Sequence, residues 1–206
     1  WWIIDYNRQS LDGVVREGLF KRVEQIFDAF GWDVVRVKYG TLQRKAFAEE
    51  GGNKLKDWID DCPNQLYSAL TYMGGAVWRE RLMDALGDQG DVTALLNARN
   101  DAELAALMEN LGGNCVETMA ETFAAIKHDR PVCFLAYTIK GWGTPIAGHK
   151  DNHGGLMNKT QMAAWQKHMG VAEGEEWEKF ATIENPKELQ KFLDMNPFFA
   201  KGRRRY

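Results

Sequence analysis

Three nearly continuous apolar runs lie along the chain, separated by stretches in which apolar residues recur at helical spacing. The runs cover residues 1–5, 32–40 and 131–143, and the last two end in glycine. Such runs are typical of strands in a sheet that helices cover on both faces. The alternation of strands and helices therefore predicts an α/β fold with a doubly wound, mainly parallel sheet.

The first helical stretch shows how the helices are predicted. Residues 17–30 place Leu19, Val23 and Phe27 on one stripe, and Gly31 follows as a stop signal. Similar patterns predict further helices on both sides of the third apolar run.

Residues 41–97 have a weaker pattern. They are charged, contain glycine and are broken by Pro63. We expect an irregular insertion here, with one helix over residues 71–86. Residues 156–206 are expected to form a helical extension.

Composition narrows the class of protein. The 206 residues carry a net charge of −3, which argues against nucleic acid as the main partner. No apolar run is long enough to span a membrane. Three cysteines without metal-ligand spacing are typical of free thiols in a reducing compartment, which predicts a cytoplasmic protein.

Polar residues follow the first apolar run. In extended geometry, Asp5, Asn7 and Gln9 place their side chains on the same side. Amide and carbonyl oxygens suit a hard cation such as Mg²⁺, which takes its other ligands from phosphate and water. Taken alone, this stretch is more simply interpreted as a turn.

The stretch IIDYNRQSLDG, residues 3–13, resembles the second half of the thiamin diphosphate motif of the transketolase superfamily. Within that superfamily it is most similar to the E1 family of homodimeric bacterial pyruvate dehydrogenases. Residues 31–41 and 137–143 resemble further segments of that family, in the same order. The resemblance implies that Asn7 gives its side-chain oxygen to Mg²⁺ and Gln9 its backbone carbonyl.

The Gly-Asp-Gly half of the motif would lie upstream of Trp1. The resemblance therefore implies a thiamin diphosphate-binding fold that is incomplete at its N-terminus. Residues 1–206 would be the C-terminal part of the diphosphate-binding domain. In a transketolase this domain is the N-terminal one. We expect the chain to be inactive in isolation.

A glycine-rich loop follows the third apolar run, over residues 138–155. Glycines after a strand are mostly turn formers, and neither a dinucleotide nor a P-loop pattern is present. The E1 resemblance implies that a loop histidine followed by glycine approaches the cofactor diphosphate and the reacting centre. His153 matches this pattern best, His149 is the second candidate, and Lys140 is a candidate cofactor-binding residue.

The resemblance implies a complete enzyme that uses thiamin diphosphate and Mg²⁺. It would decarboxylate a 2-oxo acid and pass the acyl unit to a lipoyl-bearing acyltransferase, as a homodimer. One departure is Gly112-Gly113-Asn114-Cys115, where the family has Gly-His-Asp. Two alternatives stay open: a transketolase acting on sugar phosphates, and a scaffold or dimerisation module that has lost its cofactor.

Overall fold

The computed structural model describes residues 1–7, 9–10, 13–14 and 18–196. Arg8, Leu11 and Asp12 of the E1-like stretch lie outside the described residues. The elements follow in the order β1 (Trp2–Tyr6), β2 (Gln9–Ser10), β3 (Gly13–Val14), α1 (Leu19–Ala29), β4 (Asp33–Val37), α2 (Thr41–Phe47), α3 (Gly52–Asp61), α4 (Asn64–Met73), α5 (Gly75–Leu86), α6 (Gly90–Asn97), α7 (Asp101–Glu109), a 3₁₀ turn (Gly112–Asn114), α8 (Val116–Ala125), β5 (Val132–Tyr137), α9 (Lys159–His168) and α10 (Pro186–Met195).

The central sheet is parallel and has the order β1-β5-β4. Its middle strand, β5, is the last of the three in the sequence, and all six of its residues are buried. Burial on both faces explains why its apolar run is unbroken. The predicted α/β fold with a parallel sheet is confirmed.

Helices cover both faces of this sheet. On one face Phe134 of β5 packs against Phe123 of α8, with ring centroids 5.0 Å apart. On the other face Tyr6 and Tyr137 pack against each other and against Phe20 of α1. The arrangement is the doubly wound one that the alternating pattern predicts.

Residues 41–97 are more regular than the sequence pattern indicates. Five helices, α2 to α6, fill the segment, and the single helix expected over residues 71–86 is divided at Gly74. Gly74 has a φ of 89°, which no α-helix accommodates, so α4 ends there and α5 begins. The helices are short and their glycine boundaries interrupt the periodicity, which is why the pattern looked irregular.

The chain forms two compact units, Trp1–Leu156 and Met157–Tyr206. The first contains the sheet and its helices. The described part of the second contains α9 and α10, and the assignment of residues 156–206 as a helical extension stays a prediction. The basic segment 202–206 lies outside the described residues.

Candidate functional site

The carboxyl ends of β1 and β5 lie side by side, with Asp5 paired to Ala136 and Tyr6 to Tyr137. The Asp5 carboxylate accepts a hydrogen bond from the hydroxyl of Thr138, the first residue after β5. Its second oxygen accepts one from Nδ2 of Asn7 at 3.1 Å. The polar end of β1 is therefore tied to the start of the glycine-rich loop.

Both polar atoms of the Asn7 side-chain amide are hydrogen-bonded. While Nδ2 donates to Asp5, Oδ1 accepts the backbone N–H of Gln9 at 2.9 Å, which makes an Asx turn. A carbonyl oxygen has two lone pairs, so one remains on Asn7 Oδ1 for a further ligand. The turn interpretation and the ligand interpretation are thus compatible.

The glycine-rich loop folds back onto α4. The Lys140 carbonyl accepts the Gly148 N–H at 3.1 Å and Nδ2 of Asn152 at 2.8 Å. Gly148 is buried, with a φ of 72°, and a Cβ there would lie 2.6 Å from the carbonyl oxygen of Ser68. The loop can approach α4 this closely because the residue at the contact has no side chain.

His149 follows this contact and is oriented by two neighbours. Its ring packs edge-on against Tyr72 of α4, with centroids 4.6 Å apart, and its Nδ1 accepts the Asp151 N–H at 3.1 Å. An accepting Nδ1 leaves the proton of the neutral ring on Nε2. His149 therefore presents a hydrogen-bond donor.

A cavity of about 610 Å³ opens between α4 and the loop. Of the described residues that line it, none is a carboxylate, and several offer hydrogen-bond donors; they are Gln9, Gln65, Ser68, Ala69, Tyr72, Met73, Gly148, His149 and Lys150. Gln9 Nε2 is buried and has no hydrogen-bond partner within the described ranges. A donor-rich cavity of this kind is suited to a ligand with several acceptor oxygens.

The structure brings some of the predicted site residues together. Gln9 and His149 line the same cavity, and Asn7 is hydrogen-bonded to Gln9. Lys140 contacts the loop through its backbone carbonyl. His153 is exposed on the loop and is not among the residues that line this cavity.

The residues of α4 that line the cavity were not predicted from the sequence. Gln65, Ser68, Ala69 and Tyr72 are spaced i, i+3, i+4 and i+7, so they share one face of the helix. That mixed polar face was the available signal. It does not stand out in the sequence, because the charges, the glycines and Pro63 interrupt the pattern of residues 41–97.

Within residues 1–7, 9–10, 13–14 and 18–196, no three His, Cys, Asp or Glu side chains are grouped to hold a metal ion. In the part of the chain that the structure describes, no helix combines the length and apolarity needed to cross a membrane.

Cys115 lies just before α8 and is 5% exposed. The backbone N and the Oγ1 of Thr41 are each 3.5 Å from its sulfur. Burial raises the pKa of the thiol, but hydrogen bonds with Thr118 and Thr41 outweigh burial and lower the pKa to about 6. These hydrogen bonds therefore favour the thiolate form of Cys115.

This lowered pKa makes stability depend on pH. An unfolded thiol has a pKa of about 8.5, so between about pH 6 and pH 8.5 the unfolded state binds the extra proton. The free energy of unfolding should rise with pH across this window by up to about 1.4 kcal/mol per pH unit, and it should level off below about pH 6, where the thiol is protonated in both states. Urea unfolding at several pH values measures the slope. Cys115→Ser should reduce it, Cys62→Ser should not, and equal slopes in all three proteins would contradict the assignment.

Comparison with known proteins identifies the resemblance. No family model matches the chain. Curated proteins named pyruvate dehydrogenase E1 component do: the chain is 28% identical to that of Haemophilus influenzae, 26% to that of Escherichia coli and 29% to that of Pseudomonas aeruginosa. The alignments cover 72%, 78% and 69% of this chain. The resemblance to the pyruvate dehydrogenase E1 component is confirmed.

The alignments cover only 16%, 18% and 16% of these three relatives. The chain therefore spans less than a fifth of the length of the E1 components that it matches. What it shares with them is a partial α/β domain, and the roles of the site residues stay predictions from the resemblance.

Proposed function

We propose that the complete protein containing this chain is a 2-oxo acid dehydrogenase of the E1 type, dependent on thiamin diphosphate and Mg²⁺. It decarboxylates a 2-oxo acid and passes the acyl unit to a lipoyl-bearing acyltransferase. The observation that carries this proposal is the convergence of Gln9 and His149, from two separate E1-like segments, on one donor-lined cavity beside Asn7.

The residues present fit the cofactor. Asn7 Oδ1 keeps a lone pair for Mg²⁺, and Gln9 is the neighbour whose backbone carbonyl supplies the next ligand. The buried, unpartnered Nε2 of Gln9 and the absence of carboxylates among the described lining residues suit a diphosphate or a carboxylate. When bound, thiamin diphosphate supplies the carbanion and the electron sink that cleavage of a C–C bond next to a carbonyl requires.

The chain's own residues bind and orient the cofactor and the substrate. Asp5 holds the Asn7 amide so that its oxygen faces Gln9. His149 donates from Nε2 toward a developing negative charge, and Tyr72 keeps its ring in place. Lys140 adds a positive charge to the loop, and His153 is a further candidate on the same loop for contact with the substrate.

The proposal extends to partners and location. A homodimer is proposed because the E1 family builds its site from two subunits. The substrate is a 2-oxo acid, and the acceptor is a lipoyl group. Within the described residues, Cys115 and Cys133 form no disulfide, which supports a reducing, cytoplasmic location.

Replacing Asn7 with alanine tests the metal site. We expect Asn7→Ala to weaken Mg²⁺-dependent binding of thiamin diphosphate by at least about tenfold, because a ligand oxygen is lost. Calorimetric titration of the complete protein measures the affinity. Asn53→Ala, in the exposed side of α3, is the matched control and should leave affinity unchanged. Equal affinity in both variants would refute the assignment of Asn7.

The reaction itself needs a separate assay. The complete protein is mixed with pyruvate and an artificial electron acceptor, and in parallel with a ketose phosphate and an aldose acceptor. Turnover of the first pair alone supports the E1 proposal. Turnover of the second pair would indicate a transketolase, and failure to bind thiamin diphosphate would favour a scaffold.

A further inference from the structure

The segment between α7 and α8 lies directly on the ends of β4 and β5. The Gly112 N–H donates to the Lys38 carbonyl at 2.9 Å, immediately after β4. A Cβ on Gly113 would lie 2.8 Å from the Tyr137 carbonyl oxygen and 3.0 Å from Cβ of Ala136, in β5. The turn is therefore packed against the strand ends without an intervening side chain.

Asn114, at the end of this turn, reaches the glycine-rich loop. Its Oδ1 accepts the backbone N–H of Ile139 at 2.9 Å. Ile139 is 6% exposed, so water has little access to this N–H. Loss of the Asn114 oxygen would leave a buried donor without an acceptor, which is strongly disfavoured.

The hydrogen bond to Ile139 is the first of a short series that leads to the cavity. The next residue, Lys140, accepts the Gly148 N–H at 3.1 Å. Gly148 is seated against Ser68 of α4, and His149 follows it at the cavity. The position of His149 thus depends on where the loop leaves β5, which Asn114 holds.

We propose that Asn114 is a positioning residue that holds the start of the glycine-rich loop so that His149 lies at the cavity. The effect on catalysis rests on the proposed function, whereas the effect on the loop does not. Asn114 stands where the E1 pattern has a histidine, and this role gives the difference a physical explanation. An amide oxygen accepts a hydrogen bond at every pH, whereas an imidazole nitrogen loses its lone pair when it is protonated.

Hydrogen exchange of the complete protein, followed by mass spectrometry, tests the hold on the loop directly. In Asn114→Leu the peptide that spans residues 139–149 should exchange at least about tenfold faster, because the Ile139 N–H loses its acceptor. Asn114→Asp keeps an accepting oxygen and should restore protection to within about threefold. Peptides from α8 and β5 should be unchanged, which separates a local effect from global unfolding.

Asn110 offers a matched control from the same segment. Its Oδ1 accepts the Leu42 N–H at 2.8 Å, at the start of α2 and not in the loop. Asn110→Leu should therefore leave exchange of residues 139–149 unchanged. If Asn110→Leu and Asn114→Leu accelerate exchange of this peptide equally, the specific role of Asn114 is refuted.

Steady-state kinetics tests the consequence for the reaction. Asn114→Leu should lower kcat for the 2-oxo acid about tenfold with KM within about twofold, because positioning and not affinity is lost. Asn114→Asp should recover kcat. Faster exchange with an unchanged kcat would overturn the role of the loop in the reaction.

Two further outcomes are decisive. If the wild-type protein binds no thiamin diphosphate and turns over no 2-oxo acid, the proposed function fails, while the exchange data still decide the hold on the loop. If Asn114→Leu does not fold, the wild-type protein decides alone: rapid exchange of the Ile139 amide would overturn the proposal, and protection comparable to that of β5 supports it.

Discussion

Trp78→Ala is expected to lower the free energy of unfolding of the unit Trp1–Leu156 by about 3–5 kcal/mol. Trp78 of α5 is fully buried. Its ring packs edge-on against Tyr67 of α4 and Trp58 of α3, with centroids 4.9 Å and 6.1 Å away. Removal of the indole leaves a large cavity where three helices meet, and the aromatic contacts are lost as well. Urea unfolding monitored by circular dichroism measures the change.

Trp78→Ala should also change the shape of the cavity between α4 and the glycine-rich loop. Tyr67, which packs against Trp78, belongs to α4, and α4 lines that cavity. Trp177→Ala is the matched control: Trp177 is 98% exposed, and its loss should change the free energy of unfolding by less than about 0.5 kcal/mol. A similar small change for Trp78→Ala would contradict the packing described for α3, α4 and α5.

Gly148→Ala is expected to lower the free energy of unfolding by about 3 kcal/mol and to displace His149 from the cavity. Two effects add. A left-handed conformation costs a non-glycine residue about 1–2 kcal/mol. The new Cβ would also overlap the Ser68 carbonyl oxygen, at 2.6 Å, and overpacking of this kind costs about 1–3 kcal/mol.

Gly143→Ala separates these effects. Gly143 lies in the same loop with a φ of 81°, but a Cβ there has no atom within 4 Å. Gly143→Ala should lower the free energy of unfolding only by the cost of the left-handed conformation, about 1–2 kcal/mol. Unfolding experiments on both variants, with thiamin diphosphate affinity measured in the complete protein, give the comparison. If the two variants behave alike, the loop is not seated on α4 through Gly148.

The sheet could be predicted because its evidence is local. A run of apolar residues such as β5 carries its own signal of burial, and Gly31 marks the end of α1 within the same stretch of sequence. The pairing of Asn7 with Gln9 is equally local, since a single residue separates donor and acceptor. Local patterns of this kind are readable without knowledge of the tertiary structure.

The rest of the site depends on contacts between distant segments. Gly148 meets Ser68, and Asn114 meets Ile139, across 80 and 25 residues of chain. No periodicity encodes such contacts. The resemblance favours His153 over His149, whereas His149 is the one that lines the cavity, because the loop meets α4 next to it.

The strand order has a consequence for synthesis on the ribosome. β1 and β4 each pair with β5 and not with each other, and β5 comes last in the sequence. At about 5–20 residues per second, on the order of 10 s pass between translation of β1 and translation of β5. During that time neither β1, with Trp2 and Ile3, nor β4 can make its pairing with β5. Among the described strands, the pairings of this sheet therefore form only after the helices between β4 and β5 have been synthesised.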